Sequence, residues 1–160
     1  AKESVTNISA VVKKLTGKDI QDYDLHVQFP GTHNVDGDSA SITMATAIIS
    51  AFEGVPIDQN LAMTGSLSVR GEVLPIGGVS AKIEASVKSG IERVIIPRSN
   101  LQDVLIDEKY ESMVEVLPVD SLDEVLQHAL VGAEEKVSLV ERLANVIDTI
   151  SSGPDTQPSA

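Results

Sequence analysis

The chain has 160 residues, 42% hydrophobic but only 2% aromatic, with 12 basic against 24 acidic side chains and a net charge of -12. That size and apolar share suit one domain with a real core, filled by Val, Ile, Leu and Ala. So acidic a field repels a phosphate backbone, so nucleic acid is not an expected partner; the absence of cysteine removes a disulfide framework, a thiol nucleophile and a Cys-based zinc site, and fits a reducing compartment.

Val5, Ile8, Val12 and Leu15 recur at helical spacing and predict a helix over about residues 2–16, which Gly17 is placed to end. Leu25, Val27 and Phe29 alternate as in a strand that stops at Pro30-Gly31. A polar loop from Thr32 to Asp38 follows. Residues 39–53 are apolar almost all round, as in a helix at the centre of a domain. Leu67 and Val69 predict a strand that turns through Arg70-Gly71-Glu72 into Val73-Leu74-Pro75-Ile76, a hairpin. Gly77-Gly78 leads to a helix bearing Ala81, Ile83, Ala85 and Val87, with Gly90 as its cap. Val94-Ile95-Ile96 reads as a short buried strand stopped by Pro97. A helix near 100–106 and a strand Val114-Glu115-Val116-Leu117 come next. Ser121-Leu122-Asp123-Glu124 fits a capping box, opening a helix that runs to about Leu130, and a last helix covers about 134–149. Strands alternating with helices predict a single α/β (α+β) domain over residues 1–149. Residues 150–160 are polar and proline-bearing, as in a flexible tail. No apolar run approaches the roughly 20 residues that span a bilayer. Ala1-Lys2-Glu3-Ser4 is not a signal peptide, and without an initiator Met the chain is expected to be a fragment or a processed product.

Two residues stand in unusual settings. Ser39 closes the turn Asn34-Val35-Asp36-Gly37-Asp38-Ser39 and opens the apolar run. A serine there fills the ordinary role of a helix N-cap. It also stands where free N–H groups can hold an oxyanion, beside a flexible Gly37 and a small Ala40. Gly37-Asp38-Ser39-Ala40 lacks the final glycine of a Gly-Asp-Ser-Gly motif, and Ser41 breaks G-x-S-x-G, which also needs a preceding strand and a downstream histidine. His128 is the only histidine after Ser39; His26 and His33 precede it, so a Ser-His-Asp site is poorly supported. Lys82 is the alternative base. At helical spacing its neighbours are Val79, Ile83 and Ser86. An apolar pocket favours a neutral amine, and a neutral amine can take a serine's proton.

The segments Asp36-Gly37-Asp38-Ser39-Ala40-Ser41 and Thr64-Gly65-Ser66-Leu67-Ser68-Val69-Arg70-Gly71-Glu72-Val73-Leu74-Pro75-Ile76-Gly77-Gly78 through Lys82 resemble the proteolytic domain of Lon proteases. The resemblance continues through Gly90-Ile91-Glu92-Arg93-Val94-Ile95-Ile96-Pro97 and covers about residues 5–130. Lys82 lies 43 positions after Ser39, the spacing of that family's catalytic pair. The resemblance implies Ser39 as nucleophile and Lys82 as general base of a serine endopeptidase working through an acyl-enzyme. It implies Thr64 as the hydroxyl that orients the lysine, and Asp36 as an acidic residue bordering the site. Ordinary readings stand beside the last two, a strand-edge turn for Thr64 and a loop cap for Asp36.

Asp38 and Ser41 depart from the bacterial branch and look like the archaeal, membrane-anchored B-type branch. An Asp38 paired with Lys82 would hold the amine charged and latch the site; the ordinary reading is a solvated loop acid. No G-x-x-x-x-G-K-[ST] loop is present, so no cofactor is expected in this domain; ATP and Mg belong to the ATPase module of a full-length Lon protease, as do any membrane spans. The first strands of the domain are expected to be missing from this chain as well. The partners implied are unfolded polypeptide substrates and a homo-hexameric ring, on the cytoplasmic side of a membrane reached only through the rest of the protein. Two rivals are a non-catalytic Lon-like assembly domain and a histidine-dependent hydrolase.

Overall fold

The amphipathic N-terminal segment forms helix α1, Lys2–Thr16, in a computed structural model that describes residues 2–31, 37–132 and 139–146. Its inward stripe is Ile8, Val11, Val12 and Leu15, each at most 6% exposed. Val5, which shares the spacing, faces solvent instead. After Gly17, whose N–H donates to Lys13 O, comes a 3-10 turn Ile20–Asp22 capped by the Asp19 carboxylate. Lys13 Nζ clips to that carboxylate at 2.6 Å, and its hydrogen bond holds Asp19 below the usual carboxylate range.

Residues 24–30 belong to no helix or strand, and Leu25, Val27 and Phe29 are exposed. The predicted strand is therefore not formed among the described residues. Alternation decides which side chains share a face, whereas a ladder also needs a bonded neighbour. Helix α2, Ser41–Glu53, is the central helix expected from its apolar sequence, with Ile42, Ala45 and Ile49 fully buried. It starts two residues after Ser39.

The sheet is parallel, in the order β1-β4-β5, with β1 Leu61–Met63, β4 Arg93–Pro97 and β5 Glu115–Val119. A separate antiparallel pair joins β2 Ser66–Leu67 to β3 Val73–Leu74, the predicted hairpin, in the register Leu67↔Val73. Val69 lies in its exposed turn. Between β3 and β4 runs helix α3, Val79–Lys88.

Side-chain alternation along β4 divides the core. Ile95 packs into a cluster with α1, α2 and helix α5 (Leu122–Ala129), while Val94 and Ile96 pack with Val79 and Ile83 of α3. Both faces of the central strand are covered, which is why Val94-Ile95-Ile96 reads as an unbroken apolar run. Each such buried side chain contributes about 1.5–3 kcal/mol. Arg93, at the head of β4, pairs with Asp58 at 3.1 Å and Glu115 at 3.4 Å and so reaches the segment before β1 and the first residue of β5. Partial exposure limits each pair to about 1 kcal/mol or less.

Three further expectations change. Strand β1 was not foreseen, because Leu61-Ala62-Met63 carries no β-branched residue. The helix near 100–106 is a 3-10 segment, Arg98–Asp103, followed only by the one-turn helix α4, Glu108–Glu111. The capping box is displaced: Ser121 is the N-cap of α5, but its side chain makes no capping bond, and Glu124 accepts from Asp120 N instead. Residues 139–146 are helical, within the predicted last helix. The predicted tail at 150–160 lies outside the described residues. Among those residues no helix is long and apolar enough to cross a membrane.

Candidate functional site

The turn before α2 is built by backbone demand. Asp38 O accepts from Ser41 N at 2.9 Å and from Ser41 Oγ at 2.5 Å, so Ser41 rather than Ser39 ties the turn to the helix start. The formal N-cap, Ala40, has no side chain able to bond. Ser39 is thus released from capping. Among the described residues its hydroxyl has no hydrogen-bond partner, and neither do the N–H groups of Ser39 and Ala40.

The same turn is laced to residues 64–66. Ser39 O accepts from Gly65 N at 2.8 Å and from Thr64 Oγ1 at 3.2 Å, and Gly65 O accepts from Ile42 N at 3.3 Å. Thr64 N donates to Ile95 O at 3.1 Å, which carries the carboxyl end of β1 along the central strand. The carboxyl ends of strands are where open α/β sheets place their ligands.

Lys82 approaches from the other side. Gly78 caps α3 with φ +70°, a left-handed conformation that an L side chain resists, and Lys82 N closes the first turn on Gly78 O at 3.2 Å. Buried Ile83 anchors the helix and leaves Lys82 half-buried beside a cavity of about 320 Å³. Ser39, Thr64 and Lys82 line that cavity together with apolar Ala62, Met63 and Val94. Lys82 Nζ donates to Thr64 Oγ1 at 3.3 Å.

One hydroxyl therefore joins the two elements. The Thr64 hydrogen is committed to Ser39 O, so its oxygen can only accept. Lys82 must therefore present an N–H to it.

The structure brings Ser39, Thr64 and Lys82 to one cavity and places Asp38 elsewhere. The Asp38 carboxylate accepts from Ser66 Oγ at 2.7 Å, and among the described residues no ion pair joins it to Lys82. Asp36 and His33 lie outside the described residues. His26 is exposed on the segment before α2 and His128 lies on α5; neither lines the cavity. Among the described residues no cluster of three or more His, Asp or Glu is grouped to hold a metal. Sequence reasoning missed Ser41, Gly65 and Ser66. All three sit inside segments read for their neighbours, and their roles are hydrogen bonds, through the backbone for Gly65 and the hydroxyls for Ser41 and Ser66, that no local pattern announces.

The architecture is that of an α/β domain carrying a serine, a threonine and a lysine on a cavity at a sheet's carboxyl edge. Residues 1–132 match the family described as Lon protease (S16) C-terminal proteolytic domain. The chain belongs to this family. It is 54% identical over 153 residues to an archaeal Lon protease of Methanothermobacter thermautotrophicus, covering 95% of this chain and 24% of that protein. It is 56% identical over 148 residues to one of Halobacterium salinarum, covering 91% and 21%. A Lon protease of the bacterium Azorhizobium caulinodans is 42% identical over 121 residues, covering 74% and 14%. The chain thus spans about a quarter or less of the length of these relatives.

Proposed function

We propose that this domain is a serine endopeptidase in which Ser39 is the nucleophile and Lys82 the general base. The observation that carries the reading is the Thr64 hydroxyl, which donates to Ser39 O while accepting from Lys82 Nζ on a shared cavity. Lys82 takes the Ser39 proton as Oγ bonds to the scissile carbonyl carbon. The N–H groups of Ser39 and Ala40, unused among the described residues, hold the oxyanion. Lys82 returns the proton to the leaving amine as the C–N bond breaks. It then takes a proton from the water that attacks the acyl-enzyme, and Ser39 is restored.

Family membership supports the wider assignment. Unfolded polypeptides are the substrates, delivered by the ATPase portion of a longer, ATP-dependent protein assembled as a hexameric ring. The match to archaeal relatives supports the B-type, membrane-associated subtype. The deciding experiment is hydrolysis of an unstructured fluorogenic peptide by wild type, Ser39→Ala and Lys82→Ala; undiminished turnover in either variant overturns the dyad.

Two supporting residues give separate expectations. Thr64→Val removes the linking hydroxyl at nearly constant volume, and kcat is expected to fall about 10–100-fold, as for a misplaced catalytic group. Thr64→Ser keeps the hydroxyl and is expected to retain most activity; equal losses in both would reject the linking role. Asp38 anchors the nucleophile turn to β2 through Ser66. Asp38→Asn keeps an accepting oxygen and should stay near wild type, whereas Asp38→Ala should lose activity several-fold, as one anchoring bond of roughly 1–2 kcal/mol is removed. A rise in activity for Asp38→Ala would instead restore the latch.

A further inference from the structure

We propose that Asn100 is a positioning residue for Lys82, an assignment that rests on the dyad reading above. Asn100 lies in the 3-10 segment after β4 and is only 3% exposed. Its Oδ1 accepts from Ile76 N at 2.8 Å and its Nδ2 donates to Ile76 O at 3.0 Å, so one side chain satisfies both backbone groups of Ile76 as a neighbouring strand would. The second Nδ2 hydrogen goes to Asp103 Oδ2 at 3.0 Å. Both donors are engaged, which fixes the amide's orientation.

Ile76 is the last residue before Gly77-Gly78 and α3. A Cβ at either glycine would meet nothing within 4 Å, so no packing at the pair itself steers the helix. Glycine backbones are also the most permissive. The direction in which α3 leaves the hairpin must therefore be set on either side of the pair. Asn100 holds the upstream side. Ser80, inside the first turn, holds the downstream side: its Oγ donates to Asp103 O at 3.0 Å and accepts from Leu105 N at 2.8 Å. The 98–105 segment thus grips α3 at Ser80, two residues before Lys82, and its approach at Ile76, and Asn100 is the member whose side chain is buried and fully committed.

The Lys82 amine reaches Thr64 at 3.3 Å, near the limit of a useful hydrogen bond, so a small swing of α3 breaks the link to Ser39. Asn100 touches neither the cavity nor the reacting atoms. Its effect runs through Ile76, the glycine pair and α3.

The test uses the intact protein and two readouts, peptide hydrolysis and the rate at which a fluorophosphonate labels Ser39. Asn100→Ala is expected to lower kcat and labelling about 10–100-fold while KM stays within about threefold, the pattern of a misplaced catalytic group. In a Lys82→Ala background the same change is expected to slow labelling less than about threefold, because the group it positions is already gone. Equal losses in both backgrounds, or a kcat near wild type, overturn the inference. Asn100→Asp, which keeps the volume and the bond from Ile76 N but loses both donors, should fall in the same direction; it decides the matter if Asn100→Ala does not fold. Wild-type labelling in Lys82→Ala itself would sink the dyad reading instead, a separate result.

Discussion

Lys82→Arg is expected to abolish peptide hydrolysis as completely as Lys82→Ala, by about 1,000-fold or more, although it keeps the positive charge. The guanidinium stays protonated throughout the accessible pH range, so it can donate to Thr64 but never take a proton from Ser39. The comparison isolates the chemistry of the base from its electrostatics. A lysine that only attracted substrate, or only neutralised the acidic surface, would be replaced well by arginine. Ser39→Ala should lose as much, because nucleophile and base act as one unit and removing either removes the covalent route. Both variants should keep the fold, since neither side chain belongs to a core cluster. Initial rates on an unstructured peptide, with melting temperatures alongside, check the expectation. Turnover within about tenfold of wild type for Lys82→Arg would end the assignment of Lys82 as the base.

Gly65→Ala is expected to cost about 1–3 kcal/mol of stability and to reduce activity more than its volume suggests. A Cβ on Gly65 would lie 3.0 Å from Ile42 Cδ1 and 3.0 Å from Val73 Cγ1. Ile42 is fully buried and Val73 nearly so, which leaves neither free to swing away. The strain is relieved only by moving the backbone, and that backbone carries the bonds to Ser39 O and Ile42 N. The nucleophile turn moves with it. Gly77→Ala is the contrast: nothing lies within 4 Å of its Cβ and its φ is not positive, so a change near zero, or a gain of about 0.4–1 kcal/mol from a stiffer unfolded chain, is expected. A drop of several degrees in Tm for Gly65→Ala with little for Gly77→Ala supports the close packing; equal Tm values would show that the hairpin and α2 can part cheaply.

Much of the fold was legible where local pattern and burial agree. Helices α1, α2 and α3, the hairpin and strand β4 follow from periodicity and glycine punctuation. Strand β1 was not legible, because three weak strand formers become a strand only beside β4. The failed strand at 25–29 is the converse, a good alternation with no neighbour to bond among the described residues. The cap of α5 differs by one position: Glu124 accepts from Asp120 N, one residue before the N-cap Ser121.

By itself the sequence determined the chemistry available: no thiol, an excess of acidic residues, a serine at the end of a turn, and a lysine 43 positions on within a long segment resembling one protease family. Those are properties of residue type and spacing, and the family match over residues 1–132 agrees with them. Only the tertiary structure decided which groups meet. It gave the Thr64 hydroxyl to both Ser39 and Lys82, sent Asp38 to Ser66, made Ser41 the tie to the helix, and assigned buried Asn100 to Ile76 before the glycine pair. Apart from the local Ser41 tie, each of these bonds joins groups distant in the chain. Which of these groups meet is settled by packing both faces of β4 rather than by any local run of residues.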